Sequence, residues 1–252
     1  MFNQKELLKK LDRTSQNISI RRDSNFDFNK DDAAFIIIEG SLLAYNEKNL
    51  TQTFSVGDPI GFAEVIAARE KNLRFKLLTD LKLKRFDGTD IRKNANAADV
   101  VSRTIIKYSI SRIFDFKNRS TSTIFEDIFL EKNFKSLRRS THEEDGLIFR
   151  INDTADSMYF LERGKVGLYS ENNKKVAELK SGECFGEAAL LHNRRRNYSA
   201  IAQTRTNLVV IERALLKKEL TKDPPVVRLS VILLLKRLEL TNKMNWADDF
   251  KK

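Results

Sequence analysis

At 252 residues the chain holds one large domain or two of ordinary size, and 41% apolar with 32% charged residues points to two small cores under charged surfaces. Its net charge of +11 raises nucleic acid or an anionic membrane as partner, yet the basic residues are interleaved with acids in "LKKLDR", "EKNLRFK" and "KKELTKD", the pattern of a solvated surface. No apolar run reaches a membrane helix, the start lacks a secretory core, and one cysteine with two histidines gives neither a disulfide nor metal-site spacing, so a metal-free cytoplasmic protein is expected.

In chain order, "FIIIEGSLLAY" (35–45) and "FSVGDPIGFAEVIA" (54–67) read as short strands around glycine turns, followed by an apolar stretch into "KRFDGTDIRK" and a helix over 98–114. The second half repeats this order. "YFLERGKVGLY" (159–169), "LKSGECFGEAALL" (179–191) and "LVVIERALLKKEL" precede a helical "VVRLSVILLLKRLEL" (226–240). Gly40 aligns with Gly164 and Gly61 with Gly186, so the chain reads as a duplicated domain. In the second half "GLIFR", "SMYFLERGKVGLYS", "KKVAELK", "YSAIAQT" and "NLVVIER" are predicted strands, with turns at "NDTAD" and "ENNK". The class is α+β: two tandem jelly-roll-like β-rolls, each flanked by helices.

Residues 111–139 read as helix, break and helix, with Ser122 or Thr123 capping the second and Glu126 completing a capping box. The boundary falls there, giving domains 1–118 and 119–252. The helix 226–240 is apolar around most of its circumference, which predicts burial on more than one side and a homodimer through it. It is expected to end near Leu240, leaving about a dozen residues, too few for a helix-turn-helix.

"FGEAALLHNRRRNYSAIA" (185–202) carries the most chemistry. A glycine after a strand lets the backbone approach a ligand, small residues opening a helix aim amide N–H groups at an anion, and an arginine fork binds phosphate oxygens in parallel. Glu187 suits sugar hydroxyls and Arg196 suits the phosphate.

These residues resemble the phosphate-binding cassette of cyclic-nucleotide-binding domains, the modules of catabolite activators, kinase regulatory subunits and gated channels. Phe185, Gly186, Glu187, Ala188, Ala189, Leu190 and Leu191 match in order, Arg196 stands at the phosphate arginine and Ala202 at the later alanine. The resemblance covers the second half of the chain and implies a bound cyclic AMP or cyclic GMP, with Asn197 in reach of phosphate or guanine. Tyr198 departs from the family's alanine, and its side chain must enter the roll, face solvent or cross the pocket mouth. Arg194 and Arg195 have no family counterpart and either face solvent or serve a second phosphate.

In the first half Phe62 replaces the ribose glutamate, Glu64 a small alanine and Lys71 the arginine, so no nucleotide is expected there. His142 and His192 read as surface residues and Cys184 as a small buried side chain. Trp246 has two roles open to it, stacking on a bound base or anchoring the tail.

The resemblance implies a non-enzymatic second-messenger sensor. Ligand would draw the C-terminal helices against the pocket and signal to a protein effector that is not in this chain. The alternative is a nucleotide-independent tandem-roll scaffold. Hydrolysis of a cyclic diester would need an activated water, commonly held by metal ions on His and Asp ligands, and two isolated histidines do not supply that site.

Overall fold

The computed structural model describes residues 3–45, 51–71, 73–114, 137–187 and 195–249, with side chains as far as 241. The first roll is built from β1 (Gln16–Ile20), β2 (Ala33–Glu39), β3 (Leu42–Tyr45), β4 (Thr51–Phe54), β5 (Pro59–Ile60), β6 (Arg74–Leu77) and β7 (Leu81–Asp87). They form two antiparallel sheets, in the orders β1-β7-β2-β5 and β4-β3-β6.

The second roll uses β8 (Arg138–His142), β9 (Leu147–Phe149), β10 (Ser157–Arg163), β11 (Lys165–Tyr169), β12 (Lys175–Lys180), β13 (Cys184–Phe185), β14 (Ser199–Ala202) and β15 (Thr206–Glu212). Its sheets run β13-β10-β15-β8 and β12-β11-β14-β9. The two plans coincide strand for strand except at β9, which has no counterpart among the described residues of the first roll. The reason is local. "GLIF" supplies three consecutive apolar residues, whereas the first roll has "NFDFN" there, and Asp27 Oδ1 accepts from the backbone N–H of Asn29 at 2.9 Å, turning the chain instead of extending it.

Each roll closes on its own core. Phe35, Ile37, Leu42, Phe54 and Leu83 fill the first, where Phe28 meets Phe35 and Phe75 edge-on with ring centroids 5.5 and 5.0 Å apart. Leu161, Val166, Leu168, Leu179, Phe185 and Leu208 fill the second. Cys184 is buried, and His142 lies on β8 with a ring nitrogen 3.2 Å from Ser140 Oγ. No helix of the described residues is long and apolar enough to cross a membrane.

Helices flank the strands: Gln4–Lys10, Phe62–Ile66, Gly88–Asn96, Val100–Phe114, Arg213–Leu220 and Pro225–Asp249. Gly88–Asn96 starts at Asp87, whose carboxylate accepts from the N–H of Asp90 at 3.0 Å. The last helix runs past Leu240 to Asp249, because "TNKMNWADD" has no glycine or proline to stop it.

The chain divides into two compact units, and the segment from Asp223 onward belongs with the first roll. The sequence reading had assigned this helix to the second. Two polar anchors and one apolar contact account for the difference: Arg237 pairs with buried Glu64 at 3.7 Å, Lys236 Nζ donates to the Gly57 carbonyl at 3.1 Å, and Leu240 joins the first roll's core. Val227, Leu229, Val231, Leu233, Leu234 and Leu238 are all buried within the chain, so the apolar surplus that motivated a homodimer is already covered. The boundary at 118/119 and the capping box at Ser122, Thr123 and Glu126 lie outside the described residues.

The Glu64–Arg237 pair yields a stability prediction. Both side chains are under a tenth exposed, and Glu64 Oε2 has no hydrogen-bond partner. Arg237→Ala leaves that carboxylate buried and uncompensated, at a cost of about 3–5 kcal/mol in urea denaturation. The double variant Glu64→Leu/Arg237→Leu should recover most of the loss, since removing both charges removes the desolvation cost as well; a double variant as unstable as the single would disprove the charge account.

Candidate functional site

The site begins at the end of β13. Gly186 follows Phe185 with φ of +78°, a left-handed conformation that β-carbon-bearing residues rarely adopt, and a β-carbon there would lie 2.7 Å from Arg196 Nη1. The glycine is therefore required twice, by the turn and by the arginine packed over it.

Arg196 is 3% exposed. Its Nη1 donates to the Gly186 carbonyl at 3.0 Å and its Nη2 to the Ser157 carbonyl at 2.7 Å, with Ser157 Oγ at 3.4 Å. Its backbone is clamped as well: the Arg196 N–H donates to the Asp153 carbonyl and the Asn152 N–H to the Arg196 carbonyl, both at 2.9 Å. The guanidinium lies 4.2 Å above the Phe149 ring and 5.5 Å from that of Tyr159. Phe149, Tyr159 and Phe185 form a parallel aromatic cluster, with Tyr159 5.6 and 5.1 Å from the other two.

Burial lowers the Arg196 pKa from its ordinary value, against the opposing pull of Tyr159, Asp156, Glu187 and Asp153. The group stays a cation at neutral pH. Its Nε is buried without a hydrogen-bond partner among the described residues, so the site as described holds a desolvated charge and one unused donor.

The other sequence-nominated residues fall around it. Phe185 is fully buried in the roll's core and Glu187 is half-buried just past Gly186. Asn197 is exposed. Of the three directions open to Tyr198 the first is taken: its ring packs on the apolar interior of the second roll. Arg195 is exposed and its Nη1 donates to the Asn152 carbonyl at 2.8 Å. Ala188, Ala189, His192 and Arg194 lie outside the described residues, as does the side chain of Trp246. Sequence reasoning missed Ser157, Phe149 and Tyr159 as partners of the arginine; the aromatic in "SMYFLER" was the visible hint.

The first roll repeats the geometry with different chemistry. Gly61 has the same φ of +78°, and Lys71, ten residues on as Arg196 is from Gly186, brings its Cε to 2.6 Å from where a β-carbon would sit. Lys71 Nζ donates to the Asp31 carbonyl at 2.9 Å, and burial lowers its pKa against Glu64, Asp31 and Asp32. Phe62, in the place of Glu187, is fully buried. Around this cation Arg85 grips Asp31 (2.6 and 2.8 Å) and Arg92 grips Asp32 (2.8 and 2.6 Å), each through two parallel bonds.

Residues 140–223 match the family model described as "Cyclic nucleotide-binding domain". The match falls on the second roll. Among relatives, a cGMP-dependent protein kinase of Plasmodium berghei is 25% identical over 194 residues, 72% of this chain and 20% of the kinase. A cAMP-dependent protein kinase regulatory subunit of Eremothecium gossypii is 31% identical over 104 residues, 41% of this chain and 22% of the subunit. The chain thus spans about a fifth of the length of these curated relatives. A solved regulatory subunit of a cAMP-independent protein kinase A from Trypanosoma brucei is similar at 17% identity, covering 93% of this chain and 82% of that one with a TM-score of 0.39. Every described site residue from Phe149 to Tyr198 lies inside the matched cyclic nucleotide-binding segment.

The paired acids of the first roll give a pH prediction. Hydrogen bonds from Arg85 and Arg92 hold the Asp31 and Asp32 carboxylates below their ordinary value of 3.8. A folded pKa below the unfolded one means a contribution present above the ordinary carboxylate range and lost as pH falls through the lowered values. Acid unfolding followed by circular dichroism should be steep below about pH 4 and shallower in Asp31→Asn/Asp32→Asn. Identical acid limbs would show that these pairs are too well solvated to matter.

Proposed function

We propose that the second roll is a sensor domain that binds cyclic AMP or cyclic GMP, with Arg196 on the cyclic phosphate and Glu187 on the ribose hydroxyl. The observation that carries this reading is the buried guanidinium of Arg196, seated on the left-handed Gly186 turn with its Nε unpartnered among the described residues and its charge desolvated. A phosphate diester supplies the counter-charge and the missing acceptor together. By the sequence resemblance Ala188 and Ala189 belong to the same cassette, and Asn197 is exposed beside Arg196.

In this reading the domain is non-enzymatic and metal-free, acts in the cytoplasm and passes the signal to a protein effector. The relay is a movement of the C-terminal helices beginning with Arg213–Leu220, which follows β15 directly and whose Arg213 donates to the Ala155 carbonyl. The long helix after it serves as the attachment to the first roll. The first roll binds no nucleotide, because a phenylalanine holds the carboxylate's position and Lys71 is spent on a backbone carbonyl.

A specific observation favours the scaffold as a second reading. Arg196 already donates to two carbonyls and stacks on Phe149, and the half-buried Tyr198 packs against the roll's core, so these side chains are engaged without a ligand.

Isothermal titration with cyclic AMP and cyclic GMP separates the two. The sensor predicts saturable binding that Arg196→Lys weakens by about thirty-fold or more, the lower end of the 2–5 kcal/mol expected for losing a buried charge-paired fork. Lys71→Ala should leave affinity unchanged. Absence of heat, and of any thermal shift with either nucleotide at millimolar concentration, establishes the scaffold.

A further inference from the structure

The first roll's smaller sheet ends in an open edge. In the second roll β14 is paired on one side by β11 and on the other by β9, while its counterpart β6 is paired only by β3 among the described residues. Where the extra strand would run, the loop 21–29 stands off and leaves a cleft of about 550 Å³ between itself and β6.

The cleft's walls have a consistent chemistry. Phe26, 37% exposed, packs edge-on to Phe28 at 4.9 Å, and Phe28 leads on to Phe75 of β6, so the floor is a supported aromatic surface. Its rim carries three exposed cations, Arg22, Arg74 and Lys76, none with an acidic partner among the described residues. Asp27 is the one acid in the lining, and its carboxylate already accepts from the Asn29 backbone. Along β6 the pattern alternates: Arg74 and Lys76 are exposed, Phe75 and Leu77 half-buried.

We propose that this cleft captures an extended acidic peptide of a partner protein, which adds to β6 as the fourth strand of the sheet. Unpaired backbone groups on an edge strand are a template for strand addition, and alternate side chains then set specificity. An incoming strand with acids opposite Arg74 and Lys76 and apolar residues opposite Phe75 and Leu77 satisfies the charge and the floor at once. The second roll shows the position to be fillable, since Leu147–Phe149 occupies it there. The proposal does not depend on nucleotide binding by the second roll.

The probe is a fluorescein-labelled decapeptide alternating glutamate with valine, followed by anisotropy on the intact chain. Saturable binding is expected, weakened about tenfold by Arg74→Glu/Lys76→Glu, whose positions are exposed and leave the core untouched. A lysine–valine peptide should not bind. A glutamate–valine peptide with every second amide N-methylated, which keeps the charge but loses the ladder donors, should not bind either; this arm uses the unaltered protein and stands however the charge variant folds. Equal binding of the N-methylated peptide, indifference to the charge reversal, or displacement of the probe by duplex DNA or cyclic AMP overturns the proposal.

Discussion

Both rolls are organised around a cation packed over a left-handed glycine: Lys71 on Gly61 and Arg196 on Gly186, with the same spacing and the same φ. The turn cannot accept a β-carbon, because the side chain ten residues later occupies that volume. The side chain in turn is held by backbone carbonyls, one for the half-buried Lys71 and two for the buried Arg196. Each constrains the other, and the strand after the cation is β6 in the first roll and β14 in the second. Everything else about the candidate site, from the aromatic cluster under the guanidinium to the clamped Asn152–Asp153 turn, is built on it in the second roll.

The rolls diverge in what the clamp is made to do. In the first, the residues around it are consumed by the protein itself. Lys71 binds a backbone carbonyl, the short helix beginning at Phe62 offers Glu64 to Arg237, and Asp31 and Asp32 are locked to Arg85 and Arg92. A ligand would have to break several such pairs to enter. At the equivalent place in the second roll, the Arg196 Nε has no partner among the described residues. The same fold thus serves as an anchorage for the last helix in one copy and as a candidate pocket in the other, which is why function has to be argued from side chains and not from the strand plan.

The duplication, the class and most strands were legible because their signals are local: glycine turns at fixed offsets and alternating apolar residues. The first strand of each roll was not, since "QNISI" and "RRSTH" carry too little apolar patterning to stand out. The address of the last helix was not legible either. An all-round apolar surface predicts burial without naming the partner, and the naming contacts, Arg237 to Glu64 and Lys236 to Gly57, join residues far apart in sequence. The same holds for Arg196. Its position could be read from the cassette, but its engagement with Ser157 and Phe149 depends on strands that meet only in the folded roll. Tyr198 had three geometrically allowed directions, and packing density in the roll interior selected one.

Whether a site so engaged can still take a nucleotide is a question of magnitudes. Freeing Arg196 for a phosphate gives up its bonds to the Gly186 and Ser157 carbonyls, each worth about 1.5–3 kcal/mol as a hydrogen bond to a charged group. In return the buried charge gains an anion, and truncating one partner of such a pair costs about 2–5 kcal/mol, an upper bound on what the pairing contributes. The Nε, without an acceptor among the described residues, adds about 1–3 kcal/mol once it has one. The exchange at the phosphate is therefore close to even. It follows that the arginine decides whether the phosphate is accepted, while the net affinity has to come from contacts the empty roll does not already make, at the ribose through Glu187 and at the base. A pocket balanced in this way discriminates through sugar and base more sharply than through the phosphate that the cassette is built around.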